Sequence, residues 1–519
     1  MSALPEIVQA MLKPEIYPES SPKIELMQTQ MSFIFLAGDY VYKVKKPVNL
    51  GYLDYTTLEK RKFFCQKEVE LNRRLCPETY LAVLPITKTR GQFSLGGKGN
   101  IIEYAVKMRY LPQQKMMNVL LEKEQVTTEM VESVAQKLAD FHRLAETSKE
   151  ISTYGSIEAI RVNTEENFSQ TEKYIGKTIS NEKYERINNF TNRFIKENEV
   201  LFKERVTGGR IRDCHGDLHA AHICFSDGVC IYDCIEFNDR FRYCDVASEI
   251  AFLAMDLDHY GRADLSRSFV ETYINSSHDR EIIKLLKFYK CYRAYVRGKV
   301  ESFKTDDSYI SEAERERTWI ATMGYFELAD SYTRNKPLLI ITVGLVGTGK
   351  STVARALAKR LGLTVISSDI LRKKLADVSL DEHRFEGYSG GIYTPEFTRQ
   401  TYDAMFTEAK DILVSGDSVI LDASFIRKED RLKAKQVAEA VDADFLIVEA
   451  VLEEDIIKER LARRLELGSV SDGRWEIFLP QKERFEAVNE VGEAQHIVVD
   501  TSASVDGFTG SVISKIRRS

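Results

Sequence analysis

The chain has 519 residues, of which 43% are hydrophobic and 29% charged, with a formal net charge of −6. At ~100–200 residues per domain that length predicts more than one core, and the composition is globular rather than disordered. The negative balance disfavours sequence-independent nucleic-acid binding, which needs a basic footprint. No apolar stretch approaches the ~20 residues of a membrane span; the longest, Leu338 to Val346, has nine. The first residues lack a basic region followed by an apolar one, so a cytoplasmic protein with no membrane partner is expected.

All eight cysteines precede residue 300, and five fall between Cys214 and Cys244. Without Cys-x-x-Cys spacing they are expected to be buried thiols rather than disulfides or zinc ligands. No proline occurs between Pro112 and Pro337, which permits long helices there.

Taken in chain order, Phe33–Leu36 and Tyr40–Val44 alternate around Ala37-Gly38-Asp39 and predict a β-hairpin. Leu58 to Leu75 reads as a charged amphipathic helix, and residues 81–110 hold further strands broken at Gly91 and Gly96-Gly97. Helical spacing of apolar residues follows at 128–145, 181–205, 264–276, 280–303 and 310–333, interrupted by a β-type island at 211–237. A small β-rich lobe followed by a helical lobe describes one domain, 1–335, with Asn335-Lys336-Pro337 as the hinge. From Leu338 apolar strands at 338–343, 364–367, 418–422, 445–451 and 496–500 alternate with helices. That pattern predicts a second domain, 336–519, with a five-stranded parallel sheet buried on both faces.

In the first domain, His215-Gly216-Asp217-Leu218 with His222 has the H-x-D-L-x-x-x-N spacing of a kinase-type catalytic loop, with histidine where asparagine would stand. The acid strand end Ile231-Tyr232-Asp233 follows. Upstream, Lys43 and Lys45 on the hairpin and Glu68 on the next helix suit a lysine–glutamate pair holding ATP phosphates. Residues 25–330 thereby resemble the aminoglycoside phosphotransferase and choline kinase superfamily, whose fold is protein-kinase-like. The resemblance implies Asp217 as the catalytic acid/base residue, Asp233 as a metal ligand, Lys43 or Lys45 with Glu68 as the ATP clamp, and His215 and Asp245 as structural members. It absorbs the cluster of Cys214, His215, His219, His222 and Cys224 into a loop, displacing zinc. The sequence departs from the pattern in three places. His222 takes the metal position of asparagine, no G-x-G-x-x-G covers the phosphates, and Asp233-Cys-Ile-Glu236 replaces Asp-x-Gly, which gives Glu236 a share of the metal role. Arg293, Arg297 and Lys299 share a predicted helix and read either as an anionic-substrate contact or as a solvated basic face, the second more readily.

In the second domain, Gly344-Leu345-Val346-Gly347-Thr348-Gly349-Lys350-Ser351, followed by Thr352, fits G-x-x-x-x-G-K-[ST] between a strand and a helix. Glycines let backbone N–H groups curl around phosphate at a helix N-terminus; Lys350 reaches the β- and γ-phosphates and Ser351 ligates Mg²⁺. Asp369 and Arg372 after the second strand suit activation of a hydroxyl and binding of an anionic substrate. Asp422 ends a buried strand at the second Mg²⁺ position, and Arg460 and Arg464 share a helical face as lid arginines. Residues 338–500 look like the P-loop kinases related to polynucleotide kinase and gluconate kinase, through Gly344–Ser351, Ser368-Asp369 with Arg372, Val419–Phe425 with Arg431, Arg460 with Arg464, and Ser471-Asp472 with Gln481. That likeness assigns the base to Asp369 and a phosphate-binding arginine to Arg372. The whole chain resembles bacterial fusions of an aminoglycoside phosphotransferase-like domain with a P-loop domain.

The expected architecture is therefore α/β and α+β, a two-lobed kinase-like domain followed by a P-loop NTPase. The expected activity is ATP- and Mg²⁺-dependent transfer of a γ-phosphoryl group, at two ATP sites, to a hydroxyl of a small-molecule or nucleotide-like acceptor. One alternative is a nucleotide-dependent regulator with an N-terminal pseudokinase and a C-terminal ATPase. The other, a polynucleotide 5′-kinase, loses ground on charge, since residues 337–519 carry 25 Lys and Arg against 30 Asp and Glu.

Overall fold

The computed structural model describes residues 4–18, 23–306, 311–334, 336–379, 390–414, 416–467 and 474–518. The chain forms two compact units, Met1–Tyr260 with Leu265–Thr333, and Gly261–Asp264 with Arg334–Ser519.

The first unit opens with an antiparallel sheet of β1 (Ile24–Gln28), β2 (Ser32–Ala37), β3 (Tyr40–Lys45), β4 (Tyr80–Thr89), β5 (Gln92–Leu95) and β6 (Asn100–Arg109), in the order β1-β2-β3-β6-β4-β5. Gly38, at φ 62°, makes the turn between β2 and β3. Alternation along β3 decides what reaches the cleft. Tyr42 and Val44 join Phe33 and Phe35 in one core, while Lys43 and Lys45 emerge on the other face, toward the helix Leu58–Arg73. A register slip of one residue would reverse both faces.

The larger lobe packs its helices around one continuous apolar cluster. Residues 181–205 form two helices, Asn181–Glu197 and Glu199–Thr207, not one. They part at Asn198 (φ −113°, ψ 23°), whose side-chain amide donates to the Phe194 carbonyl. Two helices lack the expected apolar stripe. Every residue from Val246 to Leu257 in the helix Val246–His259 is buried, so it has no polar face to give a period. The helix Ile157–Thr171 turns Thr164, Asn167 and Thr171 inward. Short strands β7 (Ile211–Asp213), β8 (Ile223–Phe225), β9 (Val229–Ile231) and β10 (Tyr243–Asp245) pair as β7 with β10 and β8 with β9, bracketing the loop at 214–222. The expectation that all cysteines are thiols is corrected: Cys76 and Cys230 form a disulfide, since folding brings residues 154 apart in sequence together. The other six are free.

The second unit holds β11 (Leu338–Val343), β12 (Thr364–Ser367), β13 (Val419–Asp422), β14 (Asp444–Val451) and β15 (His496–Asp500), all parallel, in the order β12-β13-β11-β14-β15. Leu339, Ile341 and Val343 enter one core and Ile340 the other, so both faces are covered. The chain leaves β11 between neighbours reached by crossovers on opposite sides, the crevice where ligands bind in open α/β sheets. Gly344 follows β11 there, Asp422 ends β13 and Ser367 ends β12. Among the described residues no helix is long and apolar enough to cross a membrane.

Gly298, on the helix Ile282–Thr305, shows how tightly the helical lobe is packed. A Cβ there would stand 2.9–3.0 Å from the buried Phe326 ring. Alanine favours a helix interior over glycine by ~1 kcal/mol, but overpacking costs ~1–3 kcal/mol. Gly298→Ala is therefore expected to lower unfolding stability by up to ~2 kcal/mol in denaturant titration, against the propensity trend.

Candidate active sites

In the first unit a chain of charges crosses from the small lobe to the large one. Lys43 Nζ lies 2.9 Å from Glu68 Oε1 and 2.9 Å from Asp233 Oδ1. Lys45, almost wholly buried, donates to Glu68 Oε2 at 2.6 Å and to Glu236 Oε1, which also accepts from Tyr55 at 2.6 Å. The two lysines therefore divide the labour expected of either. Lys43 faces the cleft beside Asp233, and Lys45 sits behind it and anchors Glu68. Glu236, expected to share the metal role, is turned to Lys45 and Tyr55 instead, because a buried carboxylate takes the nearest cation.

Asp233 adopts φ +64°, a left-handed conformation unusual for a side chain other than glycine. Its N–H donates to Tyr80 Oη at 3.1 Å, and the next N–H, of Cys234, donates to Asn72 Oδ1 at 2.8 Å. Burial on its own would raise the Asp233 carboxyl, but Lys43 and His222 hold it well below the usual carboxylate range.

The loop carrying Asp217 is fixed from below by Glu249. Its Oε1 accepts the N–H groups of both His215 and Gly216 at 2.7 Å, and its Oε2 lies 2.6 Å from His142 Nε2. His215 Nε2 donates to the Tyr232 carbonyl at 2.9 Å, leaving Nδ1 to accept from the Asp217 N–H at 3.3 Å. Gly216 sits at φ +89°, where a Cβ would come within 2.9 Å of the Phe241 carbonyl. Asp245 anchors Arg205 through contacts of 2.6 and 2.9 Å and caps the helix Val246–His259. Burial would raise Asp217, but His219, His222 and Arg297 keep it well below the ordinary range, so it is ionised at neutral pH.

His222 bears on metal binding. Its Nδ1 lies 2.9 Å from the Asp217 carbonyl, which only accepts, so Nδ1 carries the proton and Nε2 a lone pair. That lone pair faces Asp233 Oδ2 at 3.6 Å, and burial with His219 pushes the ring down to about 4. Two electron-rich atoms facing each other fit a cation held between them. Ligand atoms of Asp217, His219 and His222 also lie within 4.8 Å of one another.

In the second unit the phosphate loop is shaped by left-handed glycines, Gly344 (φ 144°), Gly347 (φ 83°) and Gly349 (φ 91°). A Cβ on Gly344 would meet the Ala450 carbonyl at 2.5 Å, and one on Gly347 would meet Ile457 at 2.8 Å. Among the described residues no protein acceptor takes the N–H of Gly347 or Gly349, as an anion cradle requires. Lys350 Nζ donates to the Leu345 carbonyl at 2.8 Å, and Thr348 Oγ1 donates to the same oxygen at 2.8 Å. Leu345 and Val346 are half-buried, and Gln481 accepts the Val346 N–H at 2.9 Å. Ser351 and Thr352 open the helix Lys350–Leu361. Asp422, nearly buried, accepts from Thr342 Oγ1 at 3.3 Å and is pushed up by burial, with Ser351 and Lys350 opposing and Asp369 adding to the rise. Ser351, Asp422 and Asp369 thus share one locality, and the hydroxyl and two carboxylates suit a hard, oxygen-seeking cation.

Ser367, at the N-cap of the helix Ser368–Leu375, makes no side-chain cap bond, and Asp369 lies in the first turn. Arg372 is buried, donates to the Ile392 carbonyl at 2.7 Å and Thr398 Oγ1 at 3.1 Å, and stacks 4.9 Å from the Tyr393 ring. Arg460 donates to Thr501 Oγ1 and the Thr501 carbonyl (3.2 and 2.8 Å), flanking Gly349. Arg431, fully buried, is held by Glu490 and the Phe425 carbonyl, which makes it a packing residue. The Arg464 side chain, Ser471, Asp472 and residues 380–389 of the substrate loops lie outside the described residues.

A kinase-like lobe pair with lysine, glutamate and two aspartates in its cleft, and a parallel sheet with a phosphate loop, define a kinase-type phosphotransferase. The model of the "Phosphotransferase enzyme family" matches residues 65–286, and that of an "AAA domain" matches 339–488. The chain belongs to the family of Uncharacterized protein Rv2004c of Mycobacterium tuberculosis, with 31% identity over 457 residues, 88% of this chain and 89% of that one. A Mycobacterium bovis protein matches to the same extent. A Shikimate kinase of Paramagnetospirillum magneticum is 28% identical over 183 residues, 33% of this chain and 91% of its own. Among solved structures, a gluconokinase from Sinorhizobium meliloti is 21% identical over 36% of this chain and 94% of its own, at a TM-score of 0.26. Chaetomium thermophilum Kti12 in complex with ADP-AlF3 is 20% identical over 34% and 98%, at 0.28.

Glu249 is the functional residue the sequence does not announce, since nothing in its spacing from Asp217 marks it. The His142 ring and the Gly216 N–H hold it ionised against burial, at about 2 instead of 4.5. Its stabilisation is complete above the unfolded value of about 4.5 and is lost as pH falls towards about 2. Glu249→Gln is expected to lower unfolding stability at pH 7 by ~3–5 kcal/mol. Denaturation series should show that deficit narrowing progressively below pH ~4.5, because the native carboxylate loses its advantage there.

Proposed function

We propose that the protein uses two separate ATP sites, one in each unit, to phosphorylate hydroxyl groups of small molecules. The observation that carries the first site is the Lys43 bridge between Glu68 and Asp233, with an ionised Asp217 across from it. Lysine, glutamate and two aspartates are thus assembled in spite of the missing glycine-rich loop and asparagine, which favours an active enzyme over a pseudokinase. Asp217 orients the acceptor hydroxyl and takes its proton as the oxygen attacks the γ-phosphorus; the bond from that phosphorus to the ADP oxygen breaks, and Lys43 balances the phosphate charge. Asp233 and His222 are the residues that would hold a divalent cation, which neutralises phosphate charge when bound. In the second unit Lys350 and the Gly344–Thr352 backbone cradle the triphosphate, Ser351 and Asp422 would hold Mg²⁺, and Asp369 takes the acceptor proton. Arg372 would bind an anionic acceptor group and Arg460 would balance the transferred charge, a role the sequence also gives to Arg464.

ATP turnover against a pooled metabolite and oligonucleotide library separates the sites. Lys350→Ala is expected to remove one set of phosphorylated products and Asp217→Ala another, each by at least ~10³-fold. If Asp217→Ala removes none, the first unit is a nucleotide-binding module. If neither does, the kinase reading is wrong, and phosphorylated oligonucleotides alone would point to a polynucleotide kinase.

The donor set of the first site makes a second prediction. Imidazole suits Mn²⁺ better than Mg²⁺, which prefers oxygen. Asp217-dependent turnover should be higher with Mn²⁺ than with Mg²⁺, and His222→Asn should reverse that order while leaving Lys350-dependent turnover unaffected.

A further inference from the structure

A cavity of about 260 Å³ opens beside Asp217 in the helical lobe, lined by Tyr154, Phe252, Tyr292, Arg240, Arg293 and Lys299 among others. Most of its wall is aromatic or apolar, and its volume is close to the lower end of small-molecule sites.

Arg293 sets this cavity apart. Only 8% of it is exposed, yet it has no carboxylate partner among the described residues. Its Nε donates to the Ser248 carbonyl at 3.2 Å, Nη1 to the Gly216 carbonyl at 3.4 Å, and Nη2 contacts Cys244 Sγ at 4.0 Å, while its plane lies 4.7 Å from the Phe252 ring. Other buried arginines of the same unit are neutralised. Arg205 pairs with Asp245 and Asp279, Arg242 with Asp213 and Asp239, and Arg61 with Glu103. A guanidinium offers five N–H groups in a fork that fits a carboxylate or phosphate, and burying its charge against neutral carbonyls alone is costly. Lys299, about two turns further along the same helix, is similarly placed. It donates to Asn167 Oδ1 at 2.7 Å and Gln170 Oε1 at 2.8 Å, both neutral, and burial pushes it down to about 8. Arg240, by contrast, is already paired with Glu166.

We propose that this cavity is the acceptor subsite of the first unit and that its ligand is an anion, a carboxylate or phosphate monoester bound by Arg293, whose hydroxyl is presented to Asp217. The guanidinium touches the Gly216 carbonyl, one residue before Asp217, so an anion on its open N–H groups lies next to the base. The aromatic wall selects a compact, partly apolar body, and Arg293 with Lys299 favours an anionic group. The inference rests on the reading of Asp217 as the N-terminal base, and the two fail separately.

The test uses the full chain carrying Lys350→Ala, which silences the phosphate loop, and four probes in titration calorimetry: 3-hydroxybenzoate, glycerol 3-phosphate, glycerol and choline. At least one anion is expected to bind ten-fold or more tightly than glycerol and choline, and the anion that does so distinguishes carboxylate from phosphate. Adding Arg293→Met should weaken that binding at least ten-fold, with Arg293→Lys intermediate. If the methionine variant does not fold, the lysine variant and the ranking of the four probes decide the matter. Binding of choline or glycerol as tight as that of the anions, anion binding indifferent to Arg293, or no anion binding at all would overturn the proposal. Anion binding without Asp217-dependent phosphoryl transfer would refute the phosphotransferase reading of the site and leave the anion subsite standing. Transfer to choline or glycerol would do the opposite.

Discussion

The first unit depends on how it buries charge. Glu249 lies with no exposed surface, and it accepts two consecutive backbone N–H groups of the loop that carries Asp217 while holding His142 with its other oxygen. An isolated carboxylate at that depth would protonate or force its surroundings open. Supplied with two amide donors and a histidine, it stays ionised and becomes a rigid post under the loop. The same logic recurs across the cleft. Lys45 and Glu236 are buried beside Glu68, which gives it a fixed place from which to meet Lys43. These charges are stabilised only as sets, which is why they specify geometry more than they add stability.

Much of this architecture was legible from pattern. The alternation of β2 and β3 around Gly38 placed Lys43 and Lys45 on one face, and the apolar strand before Gly344 placed the phosphate loop at the end of a central parallel strand. Period carries information when one face is wet and the other dry. It fails for the helix Val246–His259, buried on every side, although that helix supplies Glu249. It fails too for the helix Ile157–Thr171, whose inward face is partly polar because it borders the cavity with Asn163 and Asn167.

The sites were legible to a different depth. Asp217, Asp233, Lys350 and Asp422 stand in local motif spacings, so they could be put forward as site residues from sequence alone. Their partners arrive from far along the chain. Asn72 and Tyr80 fix the Asp233 segment from 153 or more residues away, and Cys76 meets Cys230 across a similar distance. Spacing holds no trace of such meetings. Chemistry also distinguishes residues that spacing treats alike, for Lys43 and Lys45 alternate identically along the strand and yet only Lys43 faces Asp233.

The phosphate loop of the second unit is tied down on several sides. Thr501 at the end of β15 donates to the Thr348 carbonyl at 2.6 Å, Gln481 takes the Val346 N–H, and the Ala450 carbonyl fills the space a Gly344 side chain would need. A loop so constrained has little conformational freedom left to lose. An anion bound there would meet a backbone already in shape, so the free energy of its contacts would go into affinity and alignment, with little diverted to ordering the loop.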